Sequence, residues 1–380
     1  KELVENAIDA GGTNIKIQLM DGGLSEISVI DNGSGMDKED AVLAFSRHAT
    51  SKIYKDDDLF FIDTLGFRGE ALPSIASVSE VFLETCKNEV GTKIHIKGGK
   101  ILEQENASAR IGTRITITNL FYNTPARLKY LKSEQYELAN IVSLIEKIAL
   151  ANTSISFILT NNNNELVRTS GSDNLLKTIH EIYGLNVSSN MLEIHALDDD
   201  FEIKGYVCKP SILKSTRNHM ITFVNGRLVK NYDINKAIND AYFTYKPDIK
   251  YPVVVLNIYV DPTLVDVNIH PTKQDVKISK IKALCDLLFD NIKEALYKGL
   301  LIPSALKDSN YEEYFLTWGR IWRHKAQTEY LTLLLQLDEH SPAILRANMP
   351  PRNFDEWYDT FKVTKDDGMY LDPKRRVVIW

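Results

Sequence analysis

Two short runs near the start constrain this chain more than any other feature. Glu2-Leu3-Val4-Glu5-Asn6-Ala7-Ile8-Asp9-Ala10 has the spacing of one amphipathic helix, with Leu3, Val4, Ala7 and Ile8 on one side. Glu2, Asn6 and Asp9 stand at i, i+4 and i+7, so they share the opposite side. A carboxylate and an amide one turn apart can hold a water and a metal ion at neighbouring points. The second run, Ile27-Ser28-Val29-Ile30, reads as a strand and ends in Asp31-Asn32-Gly33-Ser34-Gly35-Met36, an acid followed by a glycine-rich turn. The pair predicts an ATP site built from a helix face and a strand end, with no Walker lysine loop.

The rest of the composition sets limits. With 380 residues, 44% hydrophobic and 25% charged, the chain can bury cores for two or three domains. No run of about 18 apolar residues occurs, so no transmembrane helix and no membrane partner are expected. The sequence opens at Lys1 inside a helix pattern, without methionine or signal peptide, which reads as a truncated start. Cys86, Cys208 and Cys285 are widely spaced and fit no motif; they read as buried reduced thiols of a cytoplasmic protein. The net charge of −6 argues against a protein that coats nucleic acid generally. Residues 201–250 nevertheless carry nine Lys/Arg against four acids, enough for a phosphate-tracking surface.

Along the chain, residues 13–30 predict a hairpin across Asp21-Gly22-Gly23, and 37–48 a helix. Residues 50–75 read as a polar, glycine-punctuated lid leading into a short helix. Strands are expected at 78–86, 92–97 and 113–118, a long helix from about 133 to 151, and a turn at the four asparagines 161–164. A linker is expected near 185–200. Beyond it, Met220–Val224, Ile234–Phe243 and Val253–Val260 have a βαβ rhythm, which implies an α/β domain closed by a helix at 280–298.

The runs ELVENAIDAG, DNGSGM, SRHATSKI, LGFRGEALPSIASVS, GTRITITNLFYNTPAR, FVNGR and VDVNIHPTK occur in this order over roughly residues 1–305. In these runs the sequence resembles the GHKL ATPases and, within them, the MutL family of DNA mismatch repair. The resemblance implies an α+β chain. Its first part, residues 1–190, would be a GHKL (Bergerat-type) sandwich of a mixed sheet and helices. Residues 195–303 would be an α/β transducer domain of ribosomal S5 type that contacts DNA. It also implies ATP and Mg²⁺ as cofactors, a nucleotide-gated N-terminal dimer with slow turnover, and DNA as a sequence-tolerant, salt-sensitive partner. A mismatch-recognition protein and a downstream repair helicase or endonuclease would read the ATP-bound state.

The roles then fall on named residues. Glu2 is the expected general base for the attacking water, and Asn6 the magnesium ligand, with Asp9 in support. Glu5 reads as a surface or supporting residue. Asp31 can accept a hydrogen bond from the exocyclic amine of adenine, while Gly33 and Gly35 allow positive φ and close backbone approach. By position in the family, Thr113 is a further contact on the adenine side. Gly66-Phe67-Arg68-Gly69-Glu70-Ala71-Leu72 places glycines just before a helix start and reads as the phosphate cradle. Arg47, His48, Thr50, Ser51 and Lys52 would shape the other edge of the lid. The resemblance carries Lys273 to the γ-phosphate, adding a point charge from the second domain. Lys214, Arg217, Arg227 and Lys230 are the expected DNA contacts, with Arg127, Lys129 and Lys132 as further DNA-facing charges.

The text changes after about residue 305. Tyr311 to Leu337 is expected to be a helix in a mostly helical tail over 304–380, and Asp338 to Asn348 with the end of the chain resembles the close of a neprilysin-type zinc metallopeptidase. In that family the residues matching His340 and Arg346 contact the substrate. The zinc-binding HExxH pattern occurs nowhere in this sequence, so peptidase chemistry is unsupported. The rival to an ATPase clamp is an inert binding module whose shortened start leaves the site open.

Overall fold

Alternation of apolar and polar side chains builds the first sheet. The computed structural model describes residues 1–46, 71–107, 110–247, 249–266, 277–301, 332–336, 344–348, 370–372 and 377–379. Helix α1 (Glu2–Asp9) leads into β1 (Asn14–Met20), a tight turn at Asp21–Gly23, and β2 (Glu26–Asp31), antiparallel to β1 as the hairpin reading requires. Short helices α2 (Lys38–Leu43) and α3 (Ala71–Ser77) precede β3 (Glu80–Cys86), β4 (Gly91–Lys97), β5 (Lys100–Ala107) and β6 (Gly112–Thr118). After α4 (Pro125–Leu128) and the long α5 (Glu134–Ala151) come β7 (Ser156–Asn161) and β8 (Asn164–Arg168), joined at Asn162 and Asn163, both at positive φ. The eight strands lie in the order β5-β4-β3-β6-β2-β1-β7-β8, mixed because β1 and β7 run parallel. Ile15, Ile17, Leu19, Val81, Leu83, Ile94, Ile96, Ile115, Ile117, Phe157 and Leu159 point to one face. Val4 and Ala7 of α1, Ala76 of α3 and Ile145 and Ala149 of α5 cover them.

The region read as a linker is not one. Helices α6 (Leu175–Tyr183) and α7 (Leu185–Ser188) are followed at once by β9 (Met191–Leu197), which pairs along its whole length with β10 (Phe201–Cys208). Val187 is buried, so the Asn/Ser-rich segment is anchored despite its polarity. The chain continues through β11 (Leu213–Lys214), β12 (Met220–Val224), β13 (Arg227–Val229), α8 (Tyr232–Ala241), β14 (Tyr251–Pro252) and β15 (Val254–Val260). Strands β12 and β15 pair in parallel across the α8 crossover, as the βαβ rhythm predicts. A two-stranded pairing of β16 (Val265–Asp266) with β17 (Lys277–Ile278) precedes the final long helix, α9 (Ile281–Leu301). The second sheet has the order β13-β12-β15-β10-β9. Leu284, Leu288, Ile292 and Leu296 form a helical stripe on α9 that packs, with Ile234 and Ile238 of α8, on one face of this sheet.

Its other face is covered as well. Leu150 of α5, Ile179 of α6 and Val187 of α7 form one buried cluster with Cys208, Ile221, Phe223, Val253 and Val255. Every residue of β12 is therefore buried, because its two faces belong to two different cores. Residues Lys1–Leu301 form one compact unit.

A second compact unit comprises Ile302–Trp380. Its described residues are β18 (Thr332–Gln336), β19 (Ile344–Asn348), β20 (Tyr370–Asp372) and β21 (Val377–Ile379), an antiparallel sheet in the order β18-β19-β21-β20. This corrects the expected helix over 311–337, whose end is the strand Thr332–Gln336; the described residues of the tail are strands. His340 lies outside the described residues, while Arg346 sits on β19.

Candidate functional site

The helix run Glu2–Ala10 and the strand-and-turn run Ile27–Met36 meet in space. Helix α1 ends when the N–H groups of Gly11 and Gly12 close on the carbonyls of Ile8 and Ala7, at 2.9 and 3.0 Å. That cap turns the chain into β1 and leaves the Ala10 carbonyl free to accept the Ser34 N–H at 2.8 Å. Asn32 completes the seam: its Oδ1 accepts the N–H groups of Thr13 (2.9 Å) and Asn14 (2.7 Å). The glycine-rich turn is thus tied to the end of the helix that carries Glu2 and Asn6. In the sequence, only the place of Asn32 inside DNGSG hints at this role.

Gly35 is at φ +64, and a Cβ there would lie 2.0 Å from the Cys86 carbonyl oxygen. Gly33 corrects the expectation of positive φ: it is needed for close approach alone, since a Cβ would lie 2.7 Å from the Ala10 oxygen. Gly35→Ala is therefore expected to lower stability by at least about 1–2 kcal/mol from the left-handed backbone alone, with the clash in addition. A downward shift in the denaturant midpoint at unchanged slope would show it; an unchanged midpoint would mean that the turn is loose.

Asp31 ends β2 half-buried. Its Oδ1 accepts the N–H of Gly33 at 2.9 Å and of Thr113 at 3.3 Å, which leaves Oδ2 for a ligand. Burial raises its carboxyl above the usual range, and the two backbone donors pull the other way. Thr113 faces Asp31 directly across β2 and β6. Thr85, buried in β3, touches Thr113 Oγ1 at 3.0 Å and accepts the Met36 N–H at 2.9 Å. No sequence motif marked Thr85.

On α1 the solvent side carries Glu2, with Asn6 and Asp9 half-exposed. Glu5 corrects its surface reading: it is only 9% exposed, and its carboxylate lies 3.4 Å from the Lys1 ammonium. Burial raises its carboxyl, against the pull of Lys1. Magnesium takes hard oxygen ligands and keeps several waters. The Asn6 amide oxygen, one turn from the Glu2 carboxylate, fits such an ion. Among the described residues no group of three or more His, Cys, Asp or Glu side chains could hold a metal. Most ligands of an ion here would therefore be phosphate and water oxygens. Ala71 and Leu72 open α3, with Leu72 packed against the first core. Arg47, His48, Thr50, Ser51, Lys52, Gly66, Phe67, Arg68, Gly69, Glu70 and Lys273 lie outside the described residues.

The expected DNA contacts fall on β11, β13 and the segments that follow each of them. Arg217 is exposed and its guanidinium lies 5.0 Å from the Tyr251 ring centre; Lys214 pairs with Tyr251 across β11 and β14. Arg227 lies half-buried on β13, and Lys230 is exposed just beyond it. Lys147 of α5, unmarked by the sequence reading, is lowered by burial and then by Lys230. Burial, and after it the Lys214 and Lys147 charges, holds the His219 imidazole below its usual range. Arg127, Lys129 and Lys132 are exposed beside Tyr130, which is 84% exposed.

Residues 1–122 match the family described as histidine kinase-, DNA gyrase B- and HSP90-like ATPase, and residues 179–297 match the C-terminal domain of DNA mismatch repair protein. Residues 291–377 match peptidase family M13. DNA mismatch repair protein MutL of Listeria monocytogenes is 50% identical over 306 residues, 80% of this chain and 51% of that protein. MutL of Lactococcus lactis is 49% identical over 310 residues, 81% of this chain and 47% of that one. The chain thus spans about half the length of the curated relatives it matches. Among solved structures, the N-terminal domain of a DNA repair protein superposes with TM-score 0.67 at 25% identity, covering 80% of this chain and 94% of that one. The Aquifex aeolicus MutL ATPase domain complexed with ADP shares the fold, with TM-score 0.54 at 22% identity over 76% of this chain and 93% of that one. Over the 306 residues matched, this chain belongs to the MutL family of DNA mismatch repair proteins.

Proposed function

We propose that this chain binds ATP with Mg²⁺ and hydrolyses it slowly, as a nucleotide-gated clamp module of DNA mismatch repair in the cytoplasm. One observation supports the reading: the Ser34–Ala10 hydrogen bond ties the end of the helix that carries Glu2 and Asn6 to the turn after Asp31, as a shared nucleotide site would require. Bound magnesium would neutralise phosphate charge. Glu2 would orient and deprotonate the attacking water, and Asn6 would supply one oxygen to the ion. Asp31 Oδ2 would accept from the exocyclic amine of adenine. Thr50, the Gly66–Leu72 segment and Lys273 are assigned to the phosphates on their sequence alone. Residues 1–190 would hold the nucleotide, and 195–303 would act as the transducer that senses the γ-phosphate.

DNA would contact Lys214, Arg217, Arg227 and Lys230, with Lys147 in addition, held by phosphate contacts and independent of sequence. Self-association through the nucleotide-bound region, and docking of a mismatch-recognition protein and a downstream helicase or endonuclease, complete the reading. Magnesium-dependent ATP binding and hydrolysis, measured side by side on this chain, test it. The expected result is saturable ATP binding with turnover far below the median enzyme value of about 10 s⁻¹. Absence of nucleotide binding overturns the reading.

A further inference from the structure

Three side chains stand in one row across β3, β6 and β2: Thr85 opposite Thr113, and Thr113 opposite Asp31. Thr85 is fully buried. Its Oγ1 accepts the Met36 N–H at 2.9 Å, lies 3.2 Å from the Gly112 carbonyl oxygen, and lies 3.0 Å from Thr113 Oγ1. A hydroxyl has one proton and two lone pairs. The Met36 N–H takes one lone pair. A carbonyl can only accept, so Gly112 takes the Thr85 proton. The lone pair that remains on Thr85 then receives the proton of Thr113.

Thr113 is left with lone pairs alone on its nucleotide side. Asp31, its neighbour in the row, is also an acceptor there. We propose that Thr85 is a specificity-determining residue: by holding the Thr113 proton inward it makes the base site acceptor-only. Such a site admits a purine with an exocyclic amine and rejects one with a carbonyl at that position. An untethered threonine would turn its proton outward and accommodate the carbonyl, so the discrimination depends on the buried partner. The inference rests on the nucleotide reading above.

The test is calorimetric titration of ATP and GTP, each with Mg²⁺, into the full chain as wild type, Thr85→Val and Thr85→Ser. Thr85→Val removes the hydroxyl at nearly constant shape, and Thr85→Ser keeps it. The expected outcome is a loss of ATP-over-GTP preference of about tenfold or more in Thr85→Val, restored in Thr85→Ser. A purely structural role would weaken both nucleotides alike, and an unchanged ratio in a folded Thr85→Val overturns the proposal. Should Thr85→Val fail to fold, Thr113→Val gives the same decision: a reduced ratio supports the acceptor role, and an unchanged one overturns it. Wild type that binds neither nucleotide overturns the nucleotide reading itself. Wild type that binds ATP, with a ratio indifferent to both threonines, overturns only the role of Thr85.

Discussion

Glu2→Ala is expected to reduce ATP turnover by about 10²–10⁴-fold, the usual contribution of a positioned general base, while nucleotide affinity stays within a few-fold of wild type. Glu2 is exposed on the free side of α1, so its removal leaves no cavity and no orphaned partner in the core. Glu5 cannot replace it. That carboxylate is buried on the other side of the helix and held by Lys1. Single-turnover hydrolysis alongside equilibrium ATP binding separates the two quantities. Retained hydrolysis at wild-type rate would remove Glu2 from the chemistry.

Asp31→Asn should weaken ATP binding by about 10–100-fold, the size of a lost hydrogen bond to a charged acceptor with a donor put in its place. The geometry explains why an isosteric change is so costly. The Gly33 and Thr113 N–H groups demand an oxygen, so the asparagine must turn Oδ1 toward them and its NH₂ toward the ligand. Two donors then face each other. Unchanged affinity would exclude Asp31 from base recognition.

The same residue sets a pH dependence. Burial raises its folded-state pKa above the ordinary 3.8, so ionisation disfavours the native state, and that cost grows as pH rises through this interval. At neutral pH the ligand-free Asp31→Asn protein should therefore melt no lower than wild type, although it binds ATP poorly. In the wild type, ATP affinity should fall as pH drops through the raised value and the acceptor is protonated.

How legible the chain was depends on whether the decisive neighbour is close in sequence. The Asp21-Gly22-Gly23 turn and the β12-α8-β15 crossover are local patterns and were readable. Strand β5 was missed because Lys100–Ala107 is exposed along nearly its whole length and shows no two-residue alternation. Thr332–Gln336 is a short apolar run, which periodicity alone cannot tell from a helix segment. Asn186, Ser188, Ser189 and Asn190 looked like a linker, since nothing in them shows that Val187 is seated in a core built by β12 and β15. The site divides in the same way. Glu2, Asn6, Asp31 and Gly35 lie inside motifs. Thr85 acts only through Thr113, 28 residues later, and that pairing exists only once the strands are in register.

The cluster around Phe223 bears on how the molecule comes apart. Because Leu150, Ile179 and Val187 share a core with Ile221, Phe223, Val253 and Val255, neither sheet can be stripped from the other without wetting that surface. Residues 1–301, one compact unit, are therefore expected to melt as one cooperative body, so a blow to the centre of the second sheet should be felt in the first. Damage remote from every ligand would then silence the nucleotide site by lowering the amount of folded protein, with no change in the chemistry of the survivors.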